Sequence, residues 1–123
     1  MKNLEQLRAA AAFSFWSNRR PEEKGDTDEL FRALAARLLN QGLLSALALA
    51  KEPSFWERHG SVEAIMGEVG RFLASRERGL LPFGVQSLDD FIGGLTSHPS
   101  SLLQQATAEA IAYLGYLKQF RPK

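Results

Sequence analysis

Arg8 and Arg19 have the spacing of a binding ridge. At about 100° per helical residue they fall within about 20° of each other, with Ala12 and Phe15 between them and Trp16 beside the strip. A guanidinium grips phosphate through its forked geometry and an aromatic ring offers a stacking surface, so such a ridge suits a sugar-phosphate backbone. The spacing alone favours a plainer reading, in which Phe15 and Trp16 are core and the arginines bury their stems and hold their heads in water. Arg20 and Lys24 would extend the ridge toward Lys118, Arg121 and Lys123 if the two termini lie together, as they often do in compact domains. A second basic cluster, "RFLASRER" at 71–78, is diluted by Glu77 and reads as a solvated face.

Other residues capable of chemistry form no coherent set. His59 and His98 are far apart with no ligand spacing around them, and no cysteine is present, so no metal centre, disulfide or thiolate nucleophile is expected. Asp89 and Asp90 sit at a helix start, where carboxylates favour the macrodipole, and Glu22 and Glu23 fall in a linker. No phosphate-cradling glycine loop, zinc-protease motif or nucleophile elbow occurs. The expectation is a chain that is no enzyme, with no cofactor and no small-molecule substrate. With 15 basic against 14 acidic residues, any electrostatic binding must come from local clustering. The apolar N-terminal stretch is interrupted by Glu5 and Arg8, unlike a signal peptide, and no uncharged run approaches the ~18 residues of a membrane span. The chain therefore reads as cytoplasmic, with no membrane partner.

The elements that must position these residues are helices. Ala, Leu, Glu, Gln and Arg dominate, β-branched residues are scarce, and 123 residues with 45% hydrophobic content fit one domain. The fold expected is all-α, a compact single-domain bundle of about five to seven helices spanning 1–123. Asn3 caps a first helix to about Arg20, and Asp26 with Glu29 opens a second that "NQG" at 40–42 ends near Leu39. "LLSALALA" at 43–50 is apolar on every side and must be buried. Pro53 begins a short segment, and Ser61 a helix to about Arg78. Residues 79–101 hold four of the ten glycines around a short helix at Ser87 to Phe91 and read as a loop-rich insertion. Ser101 and Gln104 cap the last helix, which stops by Arg121 because Pro122 follows.

That last helix, "ATAEAIAYLGYLKQF", poses a problem of its own. Leu103, Ala106, Ala110, Leu114 and Leu117, flanked by Tyr113, make a core stripe. The opposite side carries Gln104, Gln105, Ala108, Ala112, Gly115 and Gln119, small or neutral where a solvated helix shows Lys and Glu. Such residues permit close approach and are cheaply desolvated, so this second face should also pack, against another helix of the chain or against another protein subunit.

Three stretches, "LEQLRAAAA", "GLLSALALAKE" and "ATAEAIAYLGYLKQF", resemble in order and spacing the small all-helical subunit of type III-B CRISPR effector complexes, the fifth subunit of the Cmr set. Gln6, Arg8 and Ala9 carry the first match. Gly42, Leu43, Ala46, Leu47 and Ala48 carry the second, and Ala106, Thr107, Glu109, Ala110, Leu117, Lys118 and Phe120 the third. Gln41 is an insertion against the family pattern, Tyr116 replaces Trp, and Gln119 replaces Arg, which reduces the basic character of the C-terminal helix end. The resemblance implies a non-catalytic scaffold that stacks in several copies along a larger backbone subunit, beside guide RNA paired to target RNA. On that reading Arg8, Arg19, Arg20, Arg37, Lys118 and Arg121 are candidate RNA phosphate contacts, and the uncharged side of the last helix is a candidate protein interface.

Two other classes compete. One is a helical protein-interaction adaptor with no nucleic-acid role, in which charge reversal at Arg8 or Arg19 would leave assembly unchanged. The other is a helix-turn-helix regulator, but "LLSALALA" after the "NQG" turn offers only Ser45 as a polar side chain to read base edges.

Overall fold

The computed structural model describes residues 3–19 and 27–122, which form seven α-helices and no strand. They are α1 (Leu4–Ser17), α2 (Thr27–Gln41), α3 (Leu43–Ala50), α4 (Pro53–Arg58), α5 (Val62–Ala74), α6 (Leu88–Thr96) and α7 (Ser100–Gln119). The all-α expectation holds.

Helix α3 is the hub. Leu43, Ala46, Leu47, Leu49 and Ala50 are buried, and α3 packs on α2, α5, α6 and α7. Gly42 makes the α2–α3 corner with φ +91, a conformation that favours glycine, and its N–H closes on the Leu38 carbonyl at 3.1 Å. The buried apolar residues of all seven helices form one continuous cluster.

The caps agree in part. Asn3 and Gln6 form a reciprocal capping box at 2.8 and 2.9 Å, and Ser87 accepts from Asp90 N–H. Helix α1 stops at Ser17, short of Arg20, and α7 starts at Ser100 with Pro99 at its N-cap, two residues before the start that a Ser101 cap would set. Asp26 lies outside the described residues. Helix α5 ends at Ala74, because Ser75 turns the chain: its Oγ receives Arg78 N–H and Gly79 adopts φ +61.

Residues 79–101 contain more order than their composition suggests. The Leu80 and Leu81 N–H groups both reach the Leu73 carbonyl, and α6 continues to Thr96 through Gly93 and Gly94. A Cβ on Gly94 would lie 2.0 Å from the Phe83 ring, and one on Gly70 would lie 2.7 Å from Phe91. Those two glycines let the segment pack; they do not loosen it.

Candidate functional site

Helix α7 organises the molecule's charges as well as its core. Ala106, Ala110, Leu114, Leu117 and Tyr113 are buried as the stripe predicts, and Leu103 is half-buried. Beside the stripe sits Glu109, 3% exposed, in an otherwise acid-free helix. Arg8 Nε donates to its Oε2 at 2.7 Å, while Arg8 Nη2 and Arg78 Nη2 both donate to Oε1 at 2.9 Å. Burial pushes the Glu109 carboxyl up, but the hydrogen bonds and charges of Arg8 and Arg78 outweigh it and hold the group below the usual carboxylate range. The hydrogen bond to Glu109 raises the Arg8 guanidinium above its ordinary value against the opposing effect of burial. Arg8 also lies over the Tyr116 ring at 5.9 Å.

One turn further along, Tyr113 donates its hydroxyl to Glu68 at 2.6 Å, and Arg71 grips the same carboxylate with Nε and Nη2 at 2.6 and 2.7 Å. Burial and the adjacent Glu68 push the Tyr113 phenol well above its ordinary range, so it stays a proton donor at any physiological pH. Neither cluster opens onto an enclosed cleft. Among the described residues no group of three or more His, Asp and Glu could hold a metal. His59 is buried against Phe55, and His98 places Nδ1 2.7 Å from the Gly94 carbonyl.

Five of the six candidate phosphate contacts lie among the described residues, each in a different setting. Arg8 is engaged with Glu109, and Ala12, expected on the strip, is fully buried. Arg19 covers the Phe15 ring at 5.1 Å and lines a broad hollow of about 680 Å³ with Arg71, Glu63 and Gln86. Arg37 reaches Ser45 Oγ at 3.3 Å and braces the α2–α3 corner. Arg121 pairs with Asp28 at 2.5 Å, whereas Lys118 is exposed on α7. The chain ends themselves, Met1, Lys2 and Lys123, lie outside the described residues, as do Arg20 and Lys24. The Arg8–Glu109 and Trp16–Leu117 hydrogen bonds span the same 101 residues, so α1 and α7 run parallel. That register sets the start of α1 about 22 Å along the axis from the end of α7, while the C-terminal ends of the two helices lie together.

Among the described residues, little covers the uncharged side of α7. Gln104, Gln105, Ala108, Gly115 and Gln119 are exposed and Ala112 half-buried, which removes the reading that another helix of this chain packs there. Between this face and α2 runs an apolar groove of about 210 Å³ on Phe31, Ala35, Leu38, Ile111 and Leu114, with Gly115 at its edge and Arg32 and Lys118 on its rim. Leu39 and Phe13 are 68% and 65% exposed, so apolar surface continues onto α2 and occurs again on α1.

Sequence reasoning passed over Arg32, Glu68 and the partnering of Glu109, and read Arg71 and Arg78 as part of a solvated face, whereas they bind Glu68 and Glu109. The available signal was Glu109 itself, a lone carboxylate beside a core stripe, which demands a cation from elsewhere in the chain.

Compared with family models, residues 4–121 match the family described as CRISPR-associated protein (Cas_Cmr5). Neither the curated proteins nor the solved structures give a match.

Proposed function

The chain belongs to the Cmr5 family of CRISPR-associated proteins and is a subunit of the Cmr type, and from that membership we propose that it is a non-catalytic scaffold of an RNA-guided type III-B effector complex in the cytoplasm. The observation that carries the reading is the bare, uncharged face of α7. A stable monomer gains nothing by leaving Ala108, Ala112 and Gly115 in a row toward water, whereas a subunit packed against a backbone subunit or a further copy of itself uses them for close approach. Association with the other Cmr subunits follows from the family; contact with guide and target RNA is the finer part of the proposal. For that part the exposed cations Lys118 and Arg32, with Arg19 at the other hollow, are better placed than Arg8, which is spent on Glu109. Such contacts would follow the RNA backbone without reading sequence. No described helix is long and apolar enough to cross a membrane.

A helical adaptor with no nucleic-acid role is the second reading, favoured by the intramolecular engagement of Arg8, Arg37 and Arg121. A tagged chain recovered from host extract, with mass spectrometry of its protein partners and sequencing of bound RNA, tests both. Recovery of the larger Cmr subunits with short guide RNAs is the expected result, and recovery of unrelated partners alone would reject the scaffold. The variant Arg19→Glu should keep the protein partners and weaken RNA protection; unchanged protection would favour the adaptor.

A further inference from the structure

Gly115 is spent on nothing inside this chain. It stands within α7, where only proline is less favourable, and a Cβ built on it meets no atom within 4 Å. Its smallness therefore serves an approach from outside, at the edge of the α2–α7 groove. The rim of that groove is cationic: Arg32 and Lys118 are exposed, and neither forms an ion pair among the described residues. The complementary object is a large apolar side chain set among carboxylates. The chain displays one. Trp56 on α4 is 49% exposed, Glu52 and Glu57 flank it in sequence and are exposed, and Glu63 shares the hollow beside it.

We propose that Trp56 of one copy seats in the α2–α7 groove of a second copy, with Glu52, Glu57 and Glu63 meeting Arg32 and Lys118. The indole and the groove are different surfaces of the same molecule and share no lining residue. The contact is thus head-to-tail, each added copy presents a fresh groove and a fresh indole, and the product is an open-ended row. This inference rests on the stacking reading above and names the surfaces that would carry it.

Sedimentation velocity on the full chain tests it with two variants that leave the core untouched, Trp56→Ala and Gly115→Gln, each checked for folding by thermal melting. The wild type should form a concentration-dependent series of oligomers that salt weakens, and each variant alone should stay monomeric. Mixed, they should form a one-to-one pair, because the Trp56→Ala chain still offers a groove and the Gly115→Gln chain still offers an indole. Emission from Trp56 should shift to shorter wavelength on mixing. A wild type monomeric at millimolar concentration, either variant associating as the wild type does, or a mixture that stays monomeric would overturn the proposal. Recovery of the larger Cmr subunits by a chain that does not self-associate would sink this junction and leave the scaffold reading standing; self-association without those subunits would do the reverse.

Discussion

Arg8 and Glu109 are 101 residues apart in sequence and meet in a two-pronged ion pair at 2.7 and 2.9 Å, with Glu109 almost wholly buried. The pair ties α1 to α7 at one level, and the Trp16 indole N–H ties them again at the Leu117 carbonyl, 2.8 Å away and eight residues further along both helices. Two anchors in the same register fix the relative rotation and slide of α1, which a helix rich in small Ala side chains would otherwise leave loosely specified. Arg78 adds the turn after α5 to the same carboxylate.

Removing that carboxylate's charge should therefore cost more than one contact. Glu109→Gln leaves two guanidinium groups facing each other at an uncharged amide, and breaking one partner out of a buried pair costs about 3–5 kcal/mol. Arg8 and Arg78 are each about a fifth exposed, so a loss near the low end is expected. Urea melts of the two chains measure it, and a loss within ±0.5 kcal/mol, the range of ordinary surface substitutions, would show that the network holds nothing in place.

The same carboxylate sets an acid limit. The folded chain holds Glu109 below its ordinary range, so its stabilisation is complete above about pH 5 and is lost as pH falls toward the folded value. The stability gap between wild type and Glu109→Gln should be widest near neutrality and close as pH falls below the ordinary carboxylate range. A gap independent of pH would mean that packing, and not charge, explains the substitution.

The helices were legible because their signals are local: Asn3 with Gln6, Gly42, the wholly apolar 43–50 segment and the stripe from Ala106 to Leu117 each act within a turn or two of their own sequence. The candidate site was less so. The periodicity of α1 placed Arg8 and Arg19 on one strip, but whether a guanidinium faces phosphate or a buried carboxylate depends on a partner 101 residues away, which no pattern within α1 encodes. Residues 79–101 read as loop-rich around a short helix at Ser87 to Phe91, and the helix there runs on to Thr96. Gly94 counts as loop punctuation in the sequence, yet it is glycine inside a helix because the Phe83 ring lies against it.

Tyr113 supplies a third prediction. Its ring stacks on Phe72 at 4.1 Å and its hydroxyl satisfies buried Glu68. Tyr113→Phe keeps the ring and removes the donor, leaving Glu68 with Arg71 alone, and a hydrogen bond to a charged group is worth about 1.5–3 kcal/mol. The melting midpoint should fall accordingly, while assembly with other Cmr subunits is unaffected because the residue is fully buried. A loss of assembly with unchanged stability would place Tyr113 in an interface and contradict its burial.

Two glycines in helices should respond to alanine in opposite directions. At Gly115 the space is open, so Ala improves helix propensity alone and should stabilise the isolated chain by up to about 1 kcal/mol. At Gly94 the same propensity gain applies, but the added methyl would fall 2.0 to 2.3 Å from three atoms of the Phe83 ring. That ring is packed against the core and lies 5.1 Å from the His98 ring, so it has little room to move, and overpacking of this kind costs about 1–3 kcal/mol. Overpacking outweighs propensity, and Gly94→Ala should lower the melting temperature while Gly115→Ala raises it. A rise for both would mean that Phe83 swings clear at no cost and that the 79–101 segment is looser than its packing indicates.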